Sequence, residues 1–384
     1  MLAFFILLFG LTSVASSAGT GPKMVEHRGI WVTRWTYKSP EQVREIMAEV
    51  AGAGFNAVYF QVRGQHDAFY RSDIEPWAKD LTGELGKDPG WDPLAVAVDA
   101  GHSHGLEVHA YLNAFPMWRG EIGPDVSKPL HAWRTNPEWL VADLDGTPMG
   151  LNEGYVYASP GNAEVRDRLV AVVADIIKRY AVDGIHLDHI RYPGEQYGRD
   201  LPAMAAWESA GRPAFDDWRR TVVTEAVAAV QAVSSVPVSA AVWGVYENRW
   251  GWTEVSEGRN GYFQDADAFT KTGAADALLP MIYWPVNPGG RLDFGVLVRD
   301  HVARANGRHV YAGVLADSSV GIEPLIATIL EARKAGSHGV VVFEYTQSRA
   351  WFGALKERVF QDSAVTPPMG WRSMRHHEQN TDPH

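Results

Sequence analysis

The sequence predicts a single (β/α)₈ barrel, and three observations carry that reading. Short apolar runs alternate with amphipathic helical patterns along the body of the chain, the signature of parallel α/β architecture. Eight such runs occur, the number that closes a barrel. No glycine-rich phosphate loop follows the first run, as an open doubly wound sheet would normally bring.

The expected strands are RGIWVTRW (28–35), NAVYFQVR (56–63), GLEVHAYLN (105–113), DGIHLDHIRYP (183–193), PVSAAVWG (237–244), ALLPMIYW (277–284), HVYAGVLAD (309–317) and HGVVVFEY (338–345). Ser39 and Pro40 open the first helix as N-cap and first helical residue. Residues 164–180 and 215–233 carry the clearest long helical patterns. The long connections, 64–90, 114–160 and those after strands 4 and 5, all follow strands. They therefore gather at the C-terminal mouth, where such barrels place their sites, and ordered loops of this length are usually functional.

The barrel is expected over residues 28–362. Residues 1–18 read as a secretory signal: the apolar run from Leu2 to Leu11 is too short to span a bilayer, and Ser16-Ser17-Ala18 offers small residues for cleavage, although no Lys or Arg precedes Lys23. An exported protein is expected on that basis, extracellular or in the cell envelope, with no stable membrane insertion beyond that segment. Residues 19–27 are expected as a linker, and 363–384 as a disordered tail.

A net charge of −11 leaves no basic excess for a phosphate backbone, so nucleic acid is not an expected partner. The absence of cysteine removes disulfides, zinc-thiolate sites and thiol nucleophiles together. No metal and no cofactor is expected. His102-Ser103-His104 precedes strand 3, the wrong end of a barrel for a metal site, and strand 1 ends in Thr33, Arg34 and Trp35 rather than a histidine pair. His186, Asp188 and His189 do not make a complete ligand set.

Strand alternation selects the inward residues. Val58, Phe60 and Val62 face the helices, leaving Gln61 and Arg63 inward; Val108, Ala110 and Leu112 leave His109, Tyr111 and Asn113; Ile185 and Leu187 leave His186 and Asp188. Polar groups buried in a barrel need hydrogen-bond partners, and so many on one side point to a polar site. Asp188 is the central candidate, ending its strand beside Arg191, with Arg63 and Arg191 expected to hold it ionised. Its plain alternative is a capping or ion-paired Asp. Such a carboxylate acts as nucleophile or stabilises an oxocarbenium-like transition state in glycoside cleavage, which also needs a protonated carboxyl. For that second group the ranking is Glu344, expected among apolar neighbours that raise its pKa, then Asp67, then Glu247, with Glu153 also in a mouth loop. Fifteen tryptophans suit stacking on sugar rings, although each is individually more often packing. Trp35, Tyr111, Trp118, Trp243, Tyr283, Trp284 and Tyr345 lie near strand ends and are candidate sugar contacts.

These motifs resemble the glycosyl-hydrolase-like family 10 domain of bacterial exported proteins, which is distinct from the family 10 xylanases. The resembling segments are RGIWVTRW, the loop-2 block NAVYFQVRGQHDAFYRSDIEPWAKDLTGELGKDPGWDPL, GLEVHAYLN, DGIHLDHIRYP and, more weakly, PMIYW at 280–284. The resemblance implies a barrel related to α-glycosidase-type barrels, glycan hydrolysis with peptidoglycan glycan strands as one substrate class, and a nucleophile at the end of strand 4, which maps onto Asp188. Many members carry two consecutive acids there, and here the second is His189; a Ser-Pro pair common after strand 5 is replaced by Ala241-Val242-Trp243-Gly244. The function expected is therefore an O-glycosyl hydrolase on a polysaccharide or oligosaccharide. The alternatives are a catalytically inactive carbohydrate-binding barrel, which His189 motivates, and a metal-dependent hydrolase or deacetylase.

Overall fold

The computed structural model describes residues 24–373. Eight parallel strands close a barrel in chain order: β1 (His27–Val32), β2 (Ala57–Arg63), β3 (Glu107–Asn113), β4 (Gly184–Asp188), β5 (Val238–Trp243), β6 (Ala277–Met281), β7 (His309–Leu315) and β8 (Gly339–Phe343). A helix follows each: α1 (Pro40–Gly52), α2 (Pro93–Ser103), α3 (Ala163–Arg179), α4 (Phe215–Val233), α5 (Ala266–Lys271), α6 (Phe294–Ala303), α7 (Glu323–Lys334) and α8 (Phe352–Arg358). Local chemistry sets their starts. The Ser39 hydroxyl accepts from the Gln42 N–H ahead of Pro40, and the Asp92, Asn162 and Asp293 side chains do the same for α2, α3 and α6.

The main core lies between barrel and helices, where Ile30, Val58, Val108 and Leu187 meet helix residues such as Met47, Val98 and Val172. Inside the barrel the filling is aromatic as well as aliphatic: Trp31, Tyr59, Tyr111 and Tyr311 pack with Leu279 and Val341. Aromatic rings bring polar tips, and these meet the inward histidines. His186 accepts from the Trp31 indole N–H at 3.1 Å and pairs with the Ser239 hydroxyl at 3.0 Å.

One irregularity changes the alternation. Along the β2–β3 pairing Gln61 opposes Tyr111, but Arg63 opposes Leu112, so a bulge intervenes. The extra residue of a bulge turns the next side chains to the other face. Arg63 therefore does not enter the barrel. It is fully buried against Glu75, with Nη2–Oε1 at 2.8 Å and Nε–Oε2 at 2.9 Å, and it donates to the carbonyls of Asn113 and Ala114. Its expected role of holding Asp188 ionised is corrected accordingly: its charge is committed to anchoring loop 2.

The chain ends also differ from expectation. Met24–Val25, placed in a linker by sequence, pairs in parallel with Ala364–Val365, placed in a tail. Met369 packs against the inner barrel cluster, and Trp371 and Arg372 donate to the Asp276 carboxylate at 2.9 and 2.6 Å. Residues 363–373 thus close the N-terminal end of the barrel, because Asp276 and the ring of His309 offer a polar and an aromatic partner there. The expected signal segment 1–18 and residues 374–384 lie outside the described residues. Among the described residues no helix is long and apolar enough to cross a membrane.

Candidate active site

At the C-terminal end of the strands lies a cavity of about 250 Å³. Strand ends from around the barrel build its floor and walls. The structure brings seven of the expected residues to it: Trp35, Gln61, Tyr111, Asn113, Asp188, Arg191 and Tyr283.

Asp188 closes β4 and is buried. Its Oδ2 accepts from the Tyr111 hydroxyl at 2.8 Å, and its Oδ1 accepts from the His189 backbone N–H at 2.6 Å. Arg191 Nη1 stands 3.5 Å from Oδ1, and His189 Nε2 stands 4.0 Å from Oδ2. Burial opposes ionisation, but the charges of His189, Arg191 and His186 and the Tyr111 hydrogen bond outweigh it and hold the carboxyl at about 2. Burial pulls His189 down to about 4 and His186 to about 3. Both imidazoles are therefore neutral near pH 7, and Arg191 is the charge that then faces the carboxylate.

His189 adopts a left-handed backbone (φ 49°), uncommon outside glycine. Its Nδ1 lies 2.5 Å from the Tyr157 hydroxyl and its ring meets Tyr155 edge-on at 5.2 Å. Burial raises the Tyr157 pKa, so the phenol keeps its proton and donates to Nδ1, which leaves the His189 proton on Nε2, facing Asp188.

Tyr155 and Tyr157 come from an antiparallel hairpin, Pro116–Gly120 with Asn152–Tyr157, that loop 3 folds over the mouth. Arg34 lies against Tyr155 of this hairpin, 5.8 Å from guanidinium to ring, and stacks over Trp35 at 4.0 Å. Burial works against its charge, but Tyr155, Asp67 and Asp80 outweigh it and raise its pKa. Gly64 permits this placement, since a Cβ there would stand 2.6 Å from the Arg34 guanidinium. Tyr283 stacks on Phe343 at 5.6 Å as the apolar side of the cavity.

Other expected residues fall elsewhere. His186 points inward but lies beneath the cavity, on Trp31 and Ser239. His109 is deeper still, bonded to Glu107 at 3.2 Å and close to His27, because Gly184 leaves it room toward the N-terminal end. Trp243 backs Arg191, with 5.5 Å from guanidinium to ring, rather than lining the cavity. Trp284 packs beside Gly244, Trp118 binds the Ile122 carbonyl, and Tyr345 reaches Glu49 at 2.6 Å.

None of the four expected second carboxyls lines the cavity. Glu344 caps a short helix, accepting from the Gln347 N–H at 3.2 Å. Asp67 folds back on its own loop, accepting from the N–H groups of Gly64 and Gln65, and burial raises its pKa. Glu247 faces Arg259 and Arg304 on the surface, and Glu153 is exposed on the hairpin. Among the described lining residues Asp188 is the single carboxylate. The described residues also contain no group of three His, Cys, Asp or Glu arranged to hold a metal.

Alternation did not find Arg34, Tyr155 or Tyr157. Arg34 lies just beyond β1, where alternation no longer applies, and the tyrosines lie in a loop. The signal available was the pattern Tyr155-Val156-Tyr157, which reads as a strand within that loop.

Comparison with known proteins agrees with this architecture. The family model "Glycosyl hydrolase-like 10" matches residues 26–321. The Bacillus subtilis protein "Glycosyl hydrolase YngK" is 30% identical over 287 residues, 68% of this chain and 54% of its own length. The Escherichia coli K12 protein "Glycosyl hydrolase DigH" is 28% identical over 252 residues, 60% of this chain and 55% of its own. The chain thus spans about half the length of these curated relatives. Among solved structures, α-L-fucosidase isoenzyme 2 from Paenibacillus thiaminolyticus superposes with TM-score 0.57 at 16% identity, covering 86% of this chain and 48% of its own. The catalytic domain of β-amylase from Paenibacillus polymyxa gives 0.57 at 13% identity, covering 94% and 100%. These two likenesses speak for the barrel fold. With the family model matched over residues 26–321, from β1 through β7, the chain belongs to the glycosyl hydrolase-like 10 family.

Proposed function

We propose that this protein is an exported glycoside hydrolase that cleaves O-glycosidic bonds of a polysaccharide. The observation that carries the reading is one ionised carboxylate, Asp188, in a small cavity walled by Trp35, Tyr155 and Tyr283 at the barrel mouth. Glycosidic cleavage develops positive charge at the anomeric carbon, and a carboxylate held at about 2 remains negative at every pH where the protein would act. The rings supply faces for the C–H side of a sugar, while Asn113 and Arg191 supply polar contacts. Asn113 Oδ1 is buried without a hydrogen-bond partner, and a sugar hydroxyl would satisfy it. Export rests on the composition of residues 1–18. Peptidoglycan glycan strands are the substrate class that the family suggests first.

One observation favours a second reading. No second carboxyl lines the cavity to protonate the departing oxygen, which fits a barrel that binds glycan without cleaving it. Incubation of residues 19–384 with peptidoglycan glycan strands and a polysaccharide panel separates the two. New reducing ends, with the product anomer read by NMR, support hydrolysis. Glycan affinity without product supports the binding barrel.

A further inference from the structure

Cleavage of a glycosidic bond leaves an alkoxide that must be protonated, and among the described lining residues no carboxyl besides Asp188 is present to do it. The geometry around His189 offers another proton. His189 lines the cavity with its side chain 20% exposed, and its Nε2 stands 4.0 Å from Asp188 Oδ2. A linkage bound between these two atoms lies within hydrogen-bond reach of both, and such contacts tighten when substrate binds.

The other ring nitrogen is held from behind. Nδ1 lies 2.5 Å from the Tyr157 hydroxyl and 3.5 Å from Arg191 Nη2. A guanidinium only donates, so Nδ1 is an acceptor and carries no proton. The imidazole proton therefore sits on Nε2, and the Tyr157 hydroxyl donates to Nδ1. Tyr157 is buried and does not line the cavity, so its proton reaches a substrate only through the imidazole. The other phenols lack such a chain: Tyr111 donates to Asp188, and Tyr283 stacks on Phe343.

A neutral imidazole alone is a weak acid, because losing Nε2–H would leave an imidazolate. A second proton entering at Nδ1 removes that cost, and the phenol supplies it. The phenolate left behind is a weaker base than a sugar alkoxide, so the transfer runs downhill. Burial raises the Tyr157 pKa, but the Arg191 charge acts in the lowering direction and steadies the phenolate.

We propose that His189 is the catalytic proton donor of the Asp188 site, and that Tyr157 is the positioning residue that keeps Nδ1 bare and supplies it with a proton. The proposal rests on the reading of the cavity as a hydrolase site. As the bond from the anomeric carbon to the departing oxygen breaks, Asp188 bonds that carbon, Nε2–H passes to the departing oxygen, and the Tyr157 proton passes to Nδ1. Water then attacks the anomeric carbon and releases Asp188. Its proton goes to Nε2, and the Nδ1 proton returns to Tyr157.

Two measurements test this. In protein labelled with nitrogen-15 histidine, and with the His189 signals assigned by their loss in His189→Asn, NMR at pH 7 without any sugar should show Nε2 protonated and Nδ1 bare. A proton on Nδ1 overturns the proposal and leaves the hydrolase reading untouched. Kinetics then compare the polysaccharide that the wild type cleaves with the 2,4-dinitrophenyl glycoside of the sugar at its new reducing end, whose leaving group needs no proton. Tyr157→Phe and His189→Asn should each lose at least about 100-fold in kcat on the polysaccharide and less than about threefold on the aryl glycoside. Asparagine tolerates the left-handed backbone at 189, and retained turnover of the aryl glycoside shows that a variant is folded. Equal losses on both substrates in folded variants, or unchanged turnover of the polysaccharide, overturn the proposal while the hydrolase reading stands. If the wild type cleaves no glycan, the hydrolase reading fails and the proton donor with it.

Discussion

At the scale of single residues, the chemistry depends on how Asp188 is kept ionised. Tyr111 and the His189 N–H each bond one of its oxygens, and Arg191 supplies the opposing charge. Tyr111→Phe removes one hydrogen bond to a charged acceptor, a loss of about 1.5–3 kcal/mol. The expected result is at least a tenfold fall in kcat/KM and an acid limb displaced to higher pH, read from a pH–rate profile. An unchanged profile would detach Tyr111 from the reaction. Gly64→Ala drives a Cβ into the Arg34 guanidinium and should raise KM more than it lowers kcat. The residues that alternation located correctly, Tyr111, Asn113 and Asp188, sit on regular stretches of β3 and β4 whose pairing runs without a slip.

At the scale of elements, the departures from alternation have physical causes. The bulge in β2 turns Arg63 out of the barrel and into a buried ion pair with Glu75. No sequence pattern marks that bulge, so the period of two carried Arg63 to the wrong face. Breaking a buried pair by removing one partner costs roughly 3–5 kcal/mol. Glu75→Gln should therefore lower the urea midpoint by a corresponding amount, whereas a surface ion pair would leave it nearly unchanged. The segment after 362 looked structureless because its composition is polar and proline-containing, yet Met369, Trp371 and Arg372 find partners on the barrel base. Deleting residues 363–384 should cost about 3 kcal/mol or more, since it exposes a tryptophan-sized apolar area and removes two hydrogen bonds to Asp276. An unchanged denaturation midpoint would show that the closure adds no stability.

At the scale of the whole molecule, the barrel buries many histidines in the neutral form. Burial holds His27 and His186 at about 3 and His131, His189 and His301 at about 4. In the unfolded chain each takes up a proton near pH 6.5. The unfolded state then binds more protons than the folded one between about 6.5 and 4, so stability is full above that window and falls as the pH drops through it. Asp67 and Asp200, raised by burial, act in the opposite sense, but they are two groups against five. Asp188, lowered to about 2, contributes stability that is lost only below its unfolded value near 3.9. Thermal melts from pH 7 to pH 4 should show a steady loss of stability, and a flat profile would mean these imidazoles are protonated in the fold. The fold itself was legible because eight periodic runs and the loop lengths agree on one architecture. None of the carboxyls expected as partners of Asp188 lines the cavity, because strand pattern reports which way a side chain points and not how far along the barrel axis it lies. Glu344 illustrates this: it was expected to end the last strand, but β8 stops at Phe343 and Glu344 caps the next helix.

Comparing wild type and Asp188→Asn on one polysaccharide, by both turnover and binding, tests the role of Asp188 most directly. The prediction is that the variant still folds, with a melting temperature at pH 7 lowered by loss of the carboxylate that faces Arg191, binds the glycan within about tenfold of wild type, and loses at least about 10³-fold in kcat. Turnover retained at near wild-type rate in Asp188→Asn would contradict the assignment of Asp188 as the reacting carboxylate.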